Sequence, residues 1–199
     1  MRKLPREFYG RPAEPVARDL VGKVLARRTA EGTLRGRIVE TEAYTGQTDP
    51  GSHAFRGPTS RNRVMFGPPG YVYVYVSYGM HYCMNVVTDT AGVAGAVLIR
   101  AIEPLEGIDE MERRRGGRSL TELCNGPGKL CQALGIDLQD YGADLEGSDI
   151  WLEDDDYTVP TLGVSARVGL SAGKDMPLRF FVQGSKFVSP GKPSAHLAL

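Results

Sequence analysis

The chain has 199 residues, of which 41% are hydrophobic and 24% are charged, and its formal net charge is zero. This length and composition predict one domain, residues 1–199, with a substantial core. No run of about 18 apolar residues is present, which excludes a membrane-spanning helix. Three cysteines argue against a disulfide framework, and no signal-peptide pattern is visible, so a reducing, cytoplasmic location is expected.

The zero net charge conceals a segregation of charges along the chain. Residues 1–37 carry ten basic and four acidic side chains, and residues 157–199 carry five basic and one acidic. Residues 144–156 carry seven acidic side chains and no basic one. Two interpretations stay open. Either the two basic ends share a surface that binds a polyanion while the acidic run is solvated elsewhere, or the charges are scattered over the surface.

The N-terminal half predicts a helix followed by hairpin strands. The helix is predicted over 15–21, because proline is favourable in a first helical turn. Strands are predicted over 23–29 and 34–44, joined by a turn at Glu31-Gly32. The clearest strand is 71–76, where tyrosine and valine alternate with strict period two.

The predicted fold class is α+β. We expect a curved, mostly antiparallel sheet flanked by helices, with a protruding aromatic β-hairpin, because hairpins dominate and no regular β-α-β alternation appears. The remaining predicted elements are strands over 82–88, 96–102, 150–153, 163–168 and 177–182, and helices over 108–115 and 129–134.

Two glutamates stand near the end of the strand predicted over 34–44. Alternation places Glu40 and Glu42 on its apolar face, with Tyr44 beyond them. A carboxylate at the rim of an apolar surface needs a partner for its charge, which is the setting of a general base. Arg100 interrupts another apolar strand and requires a carboxylate, either Glu42 or Glu40. This segment alone favours ion-paired surface glutamates over a catalytic group.

Residues 50–88 contain three arginines and no acidic residue, so a positive potential is expected there. The tyrosines of 71–76 share one face of their strand, and aromatic side chains beside arginines are used to stack bases or to enter a DNA groove. A strand with both faces buried is an equally acceptable interpretation. The histidines and cysteines show no metal-ligand spacing, so neither a metal nor a cofactor is expected.

Several motifs follow one another in a fixed order over most of the chain. They are the acidic strand 37–44, His53, the arginines of 61–63, the tyrosines of 73–75, the tip 78–80, residues 83–85, the stretch 100–107 and the glycine-rich stretch 126–134. Their order and spacing closely resemble the alkyladenine (3-methyladenine, methylpurine) DNA glycosylase family. The resemblance implies an enzyme that flips an alkylated or deaminated purine out of duplex DNA and hydrolyses its N-glycosidic bond, leaving an abasic site.

The resemblance also implies the catalytic residues. Glu42 would be the general base that activates water, and Arg100 would hold both Glu42 and the water. The main-chain carbonyl of Val168 would be the third contact of the water. No lysine nucleophile is expected near Glu42 or Arg100, so the resemblance implies a monofunctional hydrolase, acting as a monomer on double-stranded DNA that contains damaged purines.

The other implied residues contact the base or the surrounding DNA. One of them would exclude guanine by crowding its 2-amino group, and another would fill the gap that the flipped nucleotide leaves. The base pocket comprises Tyr44, His53, Tyr75 and the guanine-excluding Asn85; the wedge is Tyr78, with Met80 and His81 beside it in the minor groove; and the DNA backbone contacts are Arg61, Arg63 and Lys129.

Two alternatives stay open. A damage-binding protein would flip purines without cleaving them. A carbohydrate hydrolase would use Glu40 and Glu42 as its carboxylate pair, since side chains two residues apart on one strand face lie roughly 6.5–7 Å apart. The tyrosines and arginines of residues 50–88 favour a nucleic acid over a sugar.

Overall fold

The computed structural model describes residues 1–195 and contains one nine-stranded sheet in which every pairing between strands is antiparallel. This confirms the predicted α+β class. The strands are β1 (Arg2–Lys3), β2 (Val24–Thr29), β3 (Gly32–Tyr44), β4 (Val72–Ser77), β5 (His81–Thr88), β6 (Gly95–Glu106), β7 (Ile150–Asp154), β8 (Leu162–Ser165) and β9 (Arg179–Val182).

Short helices accompany the sheet. The three helices that the sequence predicts, at 15–21, 108–115 and 129–134, are present with bounds that differ by a few residues. Every predicted strand is present as well, again with bounds that differ by a few residues. The sequence does not predict the first strand, the first helix or the single 3₁₀ turns. The helices are α1 (Arg6–Tyr9), α2 (Ala13–Leu20), α3 (Ile108–Arg114) and α4 (Pro127–Leu134), and the 3₁₀ turns are Gly46–Thr48, Arg63–Phe66, Leu120–Glu122 and Leu138–Asp140.

The long strand β3 organises the sheet. The strand order is β1-β7-β2-β3-β6-β5-β4, and β8 pairs with β9. One edge of β3 pairs with β2 near its start and with β9 at residues 40–42, while the other edge pairs with β6. Register irregularities interrupt the β3–β6 pairing between Ile38 and Thr41. The last third of β3 is therefore enclosed by strands on both edges.

Two apolar clusters of buried residues form the core. The larger one gathers side chains from α2, α4 and the central strands, including Leu20, Ile99 and Leu134. A smaller one lies under the segment between β3 and β4 and includes Met65 and Tyr73. Tyr73 is buried whereas Tyr75 is half-buried, so β4 combines the two interpretations that the sequence left open: part of its tyrosine face is core and part borders a cavity.

The acidic run 144–156 is paired with the basic N-terminal block, so the expectation that it is solvated elsewhere is wrong. Because β7 lies between β1 and β2, the two charge blocks come together in the sheet. The basic N-terminal residues are therefore largely neutralised within the fold. The ion pairs are Arg6–Asp144 (2.7 Å), Lys23–Asp154 (2.7 Å), Arg35–Glu153 (3.1 Å) and Arg37–Asp155 (2.7 Å).

No helix among residues 1–195 has the length and apolar character that crossing a bilayer requires. All three cysteines, Cys83, Cys124 and Cys131, are buried free thiols.

Candidate active site

Glu40 and Glu42 are both fully buried, so the interpretation of these residues as surface ion pairs is wrong. At residues 40–42, β9 pairs with one edge of β3 and β6 pairs with the other edge. The sequence alone does not reveal the pairing with β9. Burying a carboxylate is costly unless it is paired and hydrogen-bonded. Two buried carboxylates two residues apart therefore require a dedicated set of donors.

Glu42 receives donors from three parts of the chain. The main-chain amide of Val168 donates to its Oε1 at 2.7 Å, and the Tyr44 hydroxyl donates to its Oε2 at 2.9 Å. Arg100 Nη1 lies 3.3 Å from the same Oε2. These contacts fix the orientation of the carboxylate and bring Val168 and Arg100 next to it; the contact from Val168 is made by its amide, whereas the resemblance implies a role for its carbonyl.

Arg100 also contacts the second glutamate. Its Nε donates to Glu40 Oε1 at 2.9 Å. Burial alone would lower the pKa of Arg100, but the charges of Glu42 and Glu40 outweigh this and raise the pKa, so the guanidinium stays protonated. The single arginine therefore bridges both carboxylates, which resolves the choice that the sequence left open between them.

The Glu40 carboxylate is occupied by structural partners. Arg179 Nε donates to Oε1 at 2.7 Å, and Ser189 donates through its amide to Oε2 at 2.7 Å and through its hydroxyl to Oε1 at 2.9 Å. With Arg100, these donors give Glu40 four hydrogen bonds within the protein, three of them to Oε1. Glu40 is thus held as a structural anchor, which argues against its use as the second carboxylate of a sugar hydrolase.

A small cavity of about 70 Å³ is lined by Tyr44, whose hydroxyl donates to Glu42, although Glu42 itself does not line it. One wall contains His53 and Tyr75, whose ring centroids are 4.6 Å apart in an edge-to-face arrangement. Asn85 joins them, and its Nδ2 donates to the carbonyl of Tyr73 at 3.1 Å. All four residues that the sequence assigns to the base pocket thus line one cavity.

His53 is held in place from both its ring and its backbone. Its Nδ1 lies 2.9 Å from the Tyr73 hydroxyl, and its carbonyl accepts from Asn62 Nδ2 at 2.8 Å. Burial, assisted by the positive charge of Arg61, lowers the pKa of His53. The imidazole is therefore neutral at pH 7, so the wall of the cavity carries no positive charge at this position.

The turn between β4 and β5 exposes large side chains. Tyr78 is 88% exposed and Met80 is 72% exposed, and His81 beside them is exposed as well. Tyr78 has a φ of +50°, a left-handed conformation that is unfavourable for a bulky residue. Such strain concentrates at positions with a function in binding.

A groove of about 430 Å³ connects this turn with Arg100, the arginine that contacts both buried carboxylates. Tyr78 and His81 line it on one side, Lys129 at the start of α4 lines it on another, and Arg100 lies on it as well. Lys129 and Arg100 thus line the same groove, and Lys129 Nζ donates to Asn125 Oδ1 at 2.7 Å.

Arg61 and Arg63 line a surface groove together with Tyr75. The Arg61 guanidinium carbon is 5.1 Å from the centre of the Tyr75 ring, and both arginines are exposed. This second groove lies next to the cavity. The cavity is therefore bordered by cationic side chains at the protein surface.

Sequence reasoning missed several residues that hold this site together. Arg179 and Ser189 fix Glu40, and a buried pair of Asp49 and Arg167 lies behind Tyr44. The only signal available was that Arg167 immediately precedes Val168. The partners are far apart in the chain and lie partly in loops, where no periodicity reports burial.

A family model for methylpurine-DNA glycosylases matches residues 7–186. The chain belongs to this family. A protein of Carboxydothermus hydrogenoformans named "Putative 3-methyladenine DNA glycosylase" is 52% identical over 94% of this chain and 98% of its own length. Proteins of the same name from Chlorobaculum parvum and Methanoculleus marisnigri are 49% and 46% identical, over 95% and 94% of this chain and 91% and 98% of their own lengths.

Family membership confirms the resemblance that the ordered motifs indicate. It supports a DNA glycosylase for alkylated bases, with DNA as the substrate. Among residues 1–195, no group of three or more histidine, cysteine, aspartate or glutamate side chains has the geometry to hold a metal ion.

Replacing Arg100 with leucine should strongly destabilise the fold. The substitution leaves the charges of Glu40 and Glu42 without their shared partner, and breaking a buried pair typically costs about 3–5 kcal/mol. Chemical denaturation near pH 7 would measure this loss. Arg113, whose contacts with Glu110 are at the surface, is the matched control, and R113L should have little effect. An Arg100→Leu protein as stable as the wild type would contradict the role assigned to the cluster.

His53 should titrate below its ordinary pKa of 6.5. A lowered pKa in the folded state means that the fold loses stability as the pH falls below 6.5, and that nothing is lost above it. NMR titration of the His53 ring resonances, assigned with His53→Gln, would measure the midpoint. Arg61→Ala should raise the midpoint, because it removes a nearby positive charge. A wild-type midpoint at or above 6.5 would contradict the burial argument.

Proposed function

We propose that this protein, as a single-domain monomer, flips alkylated or deaminated purine nucleotides out of duplex DNA and hydrolyses the N-glycosidic bond to leave an abasic site. The observation that carries the proposal is the position of Glu42. Its buried carboxylate is oriented by Tyr44, Arg100 and Val168, and the Tyr44 hydroxyl links it to a cavity lined by aromatic rings.

The burial of Glu42 argues for flipping. A base inside the DNA stack cannot reach a carboxylate that lies beneath the protein surface. Extruding a nucleotide costs a few kcal/mol, and less when the base is damaged or weakly paired. The cost itself therefore contributes to the choice of damaged purines over normal ones.

In the proposed reaction, Glu42 acts as the general base. Its Oε1 accepts one hydrogen bond, from Val168, so this oxygen can also accept one from a water molecule. The carboxylate then takes the proton of the water as the oxygen attacks the anomeric carbon, and its charge stabilises the oxocarbenium-like transition state. Arg100 holds the carboxylate, and the carbonyl of Val168 is proposed as a further contact of the water.

The cavity suits a flat, positively charged ring. Tyr44 and Tyr75 present π-faces, which attract a cationic alkylated purine. A neutral His53 does not repel this cation. Asn85 is fixed by its bond to the Tyr73 carbonyl, and we propose that it collides with the 2-amino group of guanine.

The exposed turn supplies the wedge. We assign Tyr78 to the gap that the flipped nucleotide leaves, with Met80 and His81 in the minor groove. The groove from Tyr78 to Arg100 supports this assignment, because it connects the proposed wedge with the catalytic group. Arg61, Arg63 and Lys129, which border the two grooves, are assigned to the DNA backbone.

The reaction is proposed to be hydrolysis alone. In the described part of the chain, the groups in contact with the Glu42 carboxylate are a hydroxyl, a guanidinium and a main-chain amide, and none is a primary amine. Lys129 lines the outer groove and is not among the residues that line the cavity. A Schiff-base step, which would make the enzyme a lyase, therefore lacks its nucleophile at the cavity.

Glu42→Gln should abolish base release while leaving binding intact. Glutamine keeps the size of the side chain but cannot take a proton, so the single-turnover rate should fall by about 10²-fold or more. Duplex DNA with one hypoxanthine, one ethenoadenine or one 7-methylguanine would be the substrate, and the released base would be quantified. Glu153→Gln, which changes a carboxylate of the β7 ion pairs, is the matched control.

Each outcome of this experiment separates the alternatives. Wild-type protein that binds the lesions but releases none of the bases would identify a damage-binding protein instead of an enzyme. Strand cleavage beside the abasic site, or a covalent adduct trapped by borohydride, would contradict a monofunctional hydrolase. Release from methylated purines alone would remove deaminated purines from the proposal.

Tyr78→Ala should slow base release without weakening the binding of undamaged DNA. Loss of the wedge lets the flipped nucleotide return to the stack, and a rate reduced by about tenfold corresponds to some 1.4 kcal/mol of lost stabilisation. Stopped-flow fluorescence of ethenoadenine DNA would follow the extruded state directly. Tyr157→Ala, at another exposed tyrosine, is the control and should leave the signal unchanged. Equal kinetics for wild type and Tyr78→Ala would refute the wedge.

A further inference from the structure

Asp49 and Arg167 form a fully buried ion pair behind the cavity. Arg167 donates to both carboxylate oxygens, from Nη2 to Oδ1 at 2.7 Å and from Nη1 to Oδ2. Neither residue is exposed to solvent. Burial of such a pair costs desolvation energy on both sides, and apolar residues of similar volume often stabilise a fold as well or better. A contribution to stability alone therefore does not explain it.

The arginine of this pair holds Tyr44. Its guanidinium carbon lies 4.6 Å from the centre of the Tyr44 ring, and its Nη1 donates to the carbonyl of Ala43 at 2.9 Å. Tyr44 lines the cavity whereas Arg167 does not, so the guanidinium contacts the ring from outside the cavity. Arg167 therefore restrains the position of the Tyr44 ring.

The aspartate contacts the segments on which Tyr44 and His53 stand. Its Oδ1 accepts from the amide of Gly51 at 2.9 Å, and its Oδ2 accepts from the amide of Thr45 at 3.3 Å. Gly51 and His53 line the cavity, and His53 forms one wall with Tyr75. The bidentate geometry of an arginine–carboxylate pair leaves little freedom in distance or angle.

We propose that Asp49 and Arg167 are positioning residues that set the separation between Tyr44 and the His53 wall, and so determine how well a flipped purine fits the cavity. The inference rests on the proposed function of this cavity. A pocket that must stack a planar ring depends on wall positions held to a fraction of an ångström. A rigid charge pair supplies that constraint where the 49–53 loop by itself would not.

Asp49→Asn tests this inference, because it keeps the acceptor for Gly51 but removes the charge that holds Arg167. The pair of Arg37 and Asp155 provides a close control. It is also bidentate, with hydrogen bonds of 2.9 and 2.7 Å, and the Arg37 guanidinium carbon lies 4.0 Å from the centre of the Tyr157 ring. Asp155→Asn makes the same chemical change away from the cavity.

The measurement is the dissociation constant for duplex DNA with and without one ethenoadenine, with Glu42→Gln in every protein to prevent cleavage. Asp49→Asn should weaken lesion binding by about tenfold and leave the binding of undamaged duplex unchanged, and Asp155→Asn should change neither. An unchanged ratio of the two constants in a folded Asp49→Asn protein would overturn the inference. A parallel loss of both affinities in a folded Asp49→Asn protein would overturn it as well, because it would show that the pair does not act on the preference for the lesion.

If Asp49→Asn does not fold, the double variant Asp49→Asn/Arg167→Met replaces it, since it leaves no unpaired buried charge. The same tenfold loss of lesion preference is expected, and a retained preference would again overturn the inference. The Glu42→Gln parent separates this test from the proposed function. A parent protein that binds the lesion no better than undamaged DNA contradicts the proposed function itself. A parent that prefers the lesion, together with variants that prefer it equally, contradicts the positioning role alone.

Discussion

The structure depends on one buried arginine between two buried carboxylates. Glu40 and Glu42 lie on β3, Arg100 comes from β6, and Arg179 comes from β9, so the same charges that form the site also join three strands. Neither glutamate is tolerable there without its donors, because an unpaired buried charge costs several kcal/mol. The register of these strands and the geometry of the site are therefore fixed by one set of contacts, and neither can shift without the other.

The two glutamates show how neighbouring residues of one kind take different tasks. Glu40 gives its oxygens to Arg100, Arg179 and Ser189 and acts as the anchor of the cluster. Glu42 is linked to the cavity through Tyr44, is held by fewer donors and retains acceptor capacity. The division arises from the strands that cover them rather than from the residues themselves. Preorganised polar groups of this sort orient a reacting water without having to rearrange during the reaction.

Much of the fold was predictable, because alternation and turn residues report local structure. The Tyr-Val alternation at 71–76 predicted β4, and an arginine in an apolar strand predicted that Arg100 would find a carboxylate. Burial of Glu40 and Glu42 was not predictable, since it follows from the distant pairing of β9 with β3. The Asp49–Arg167 pair was missed for the same reason: its members lie 118 residues apart in segments without periodicity. The pairing of the acidic run with the N-terminal block likewise depends on strand order, which a charge count does not contain.

That pairing leaves the uncompensated positive charge unevenly distributed over a protein with no formal net charge. The N-terminal arginines and lysine face acidic partners across β7, whereas Arg56, Arg61 and Arg63 have no carboxylate within salt-bridge distance in the described part of the chain. Charge that is not compensated within the protein attracts a polyanion more strongly than paired charge does. A DNA duplex should therefore be drawn to the side that carries Arg61 and Arg63, next to the cavity, although the formal net charge of the chain is zero.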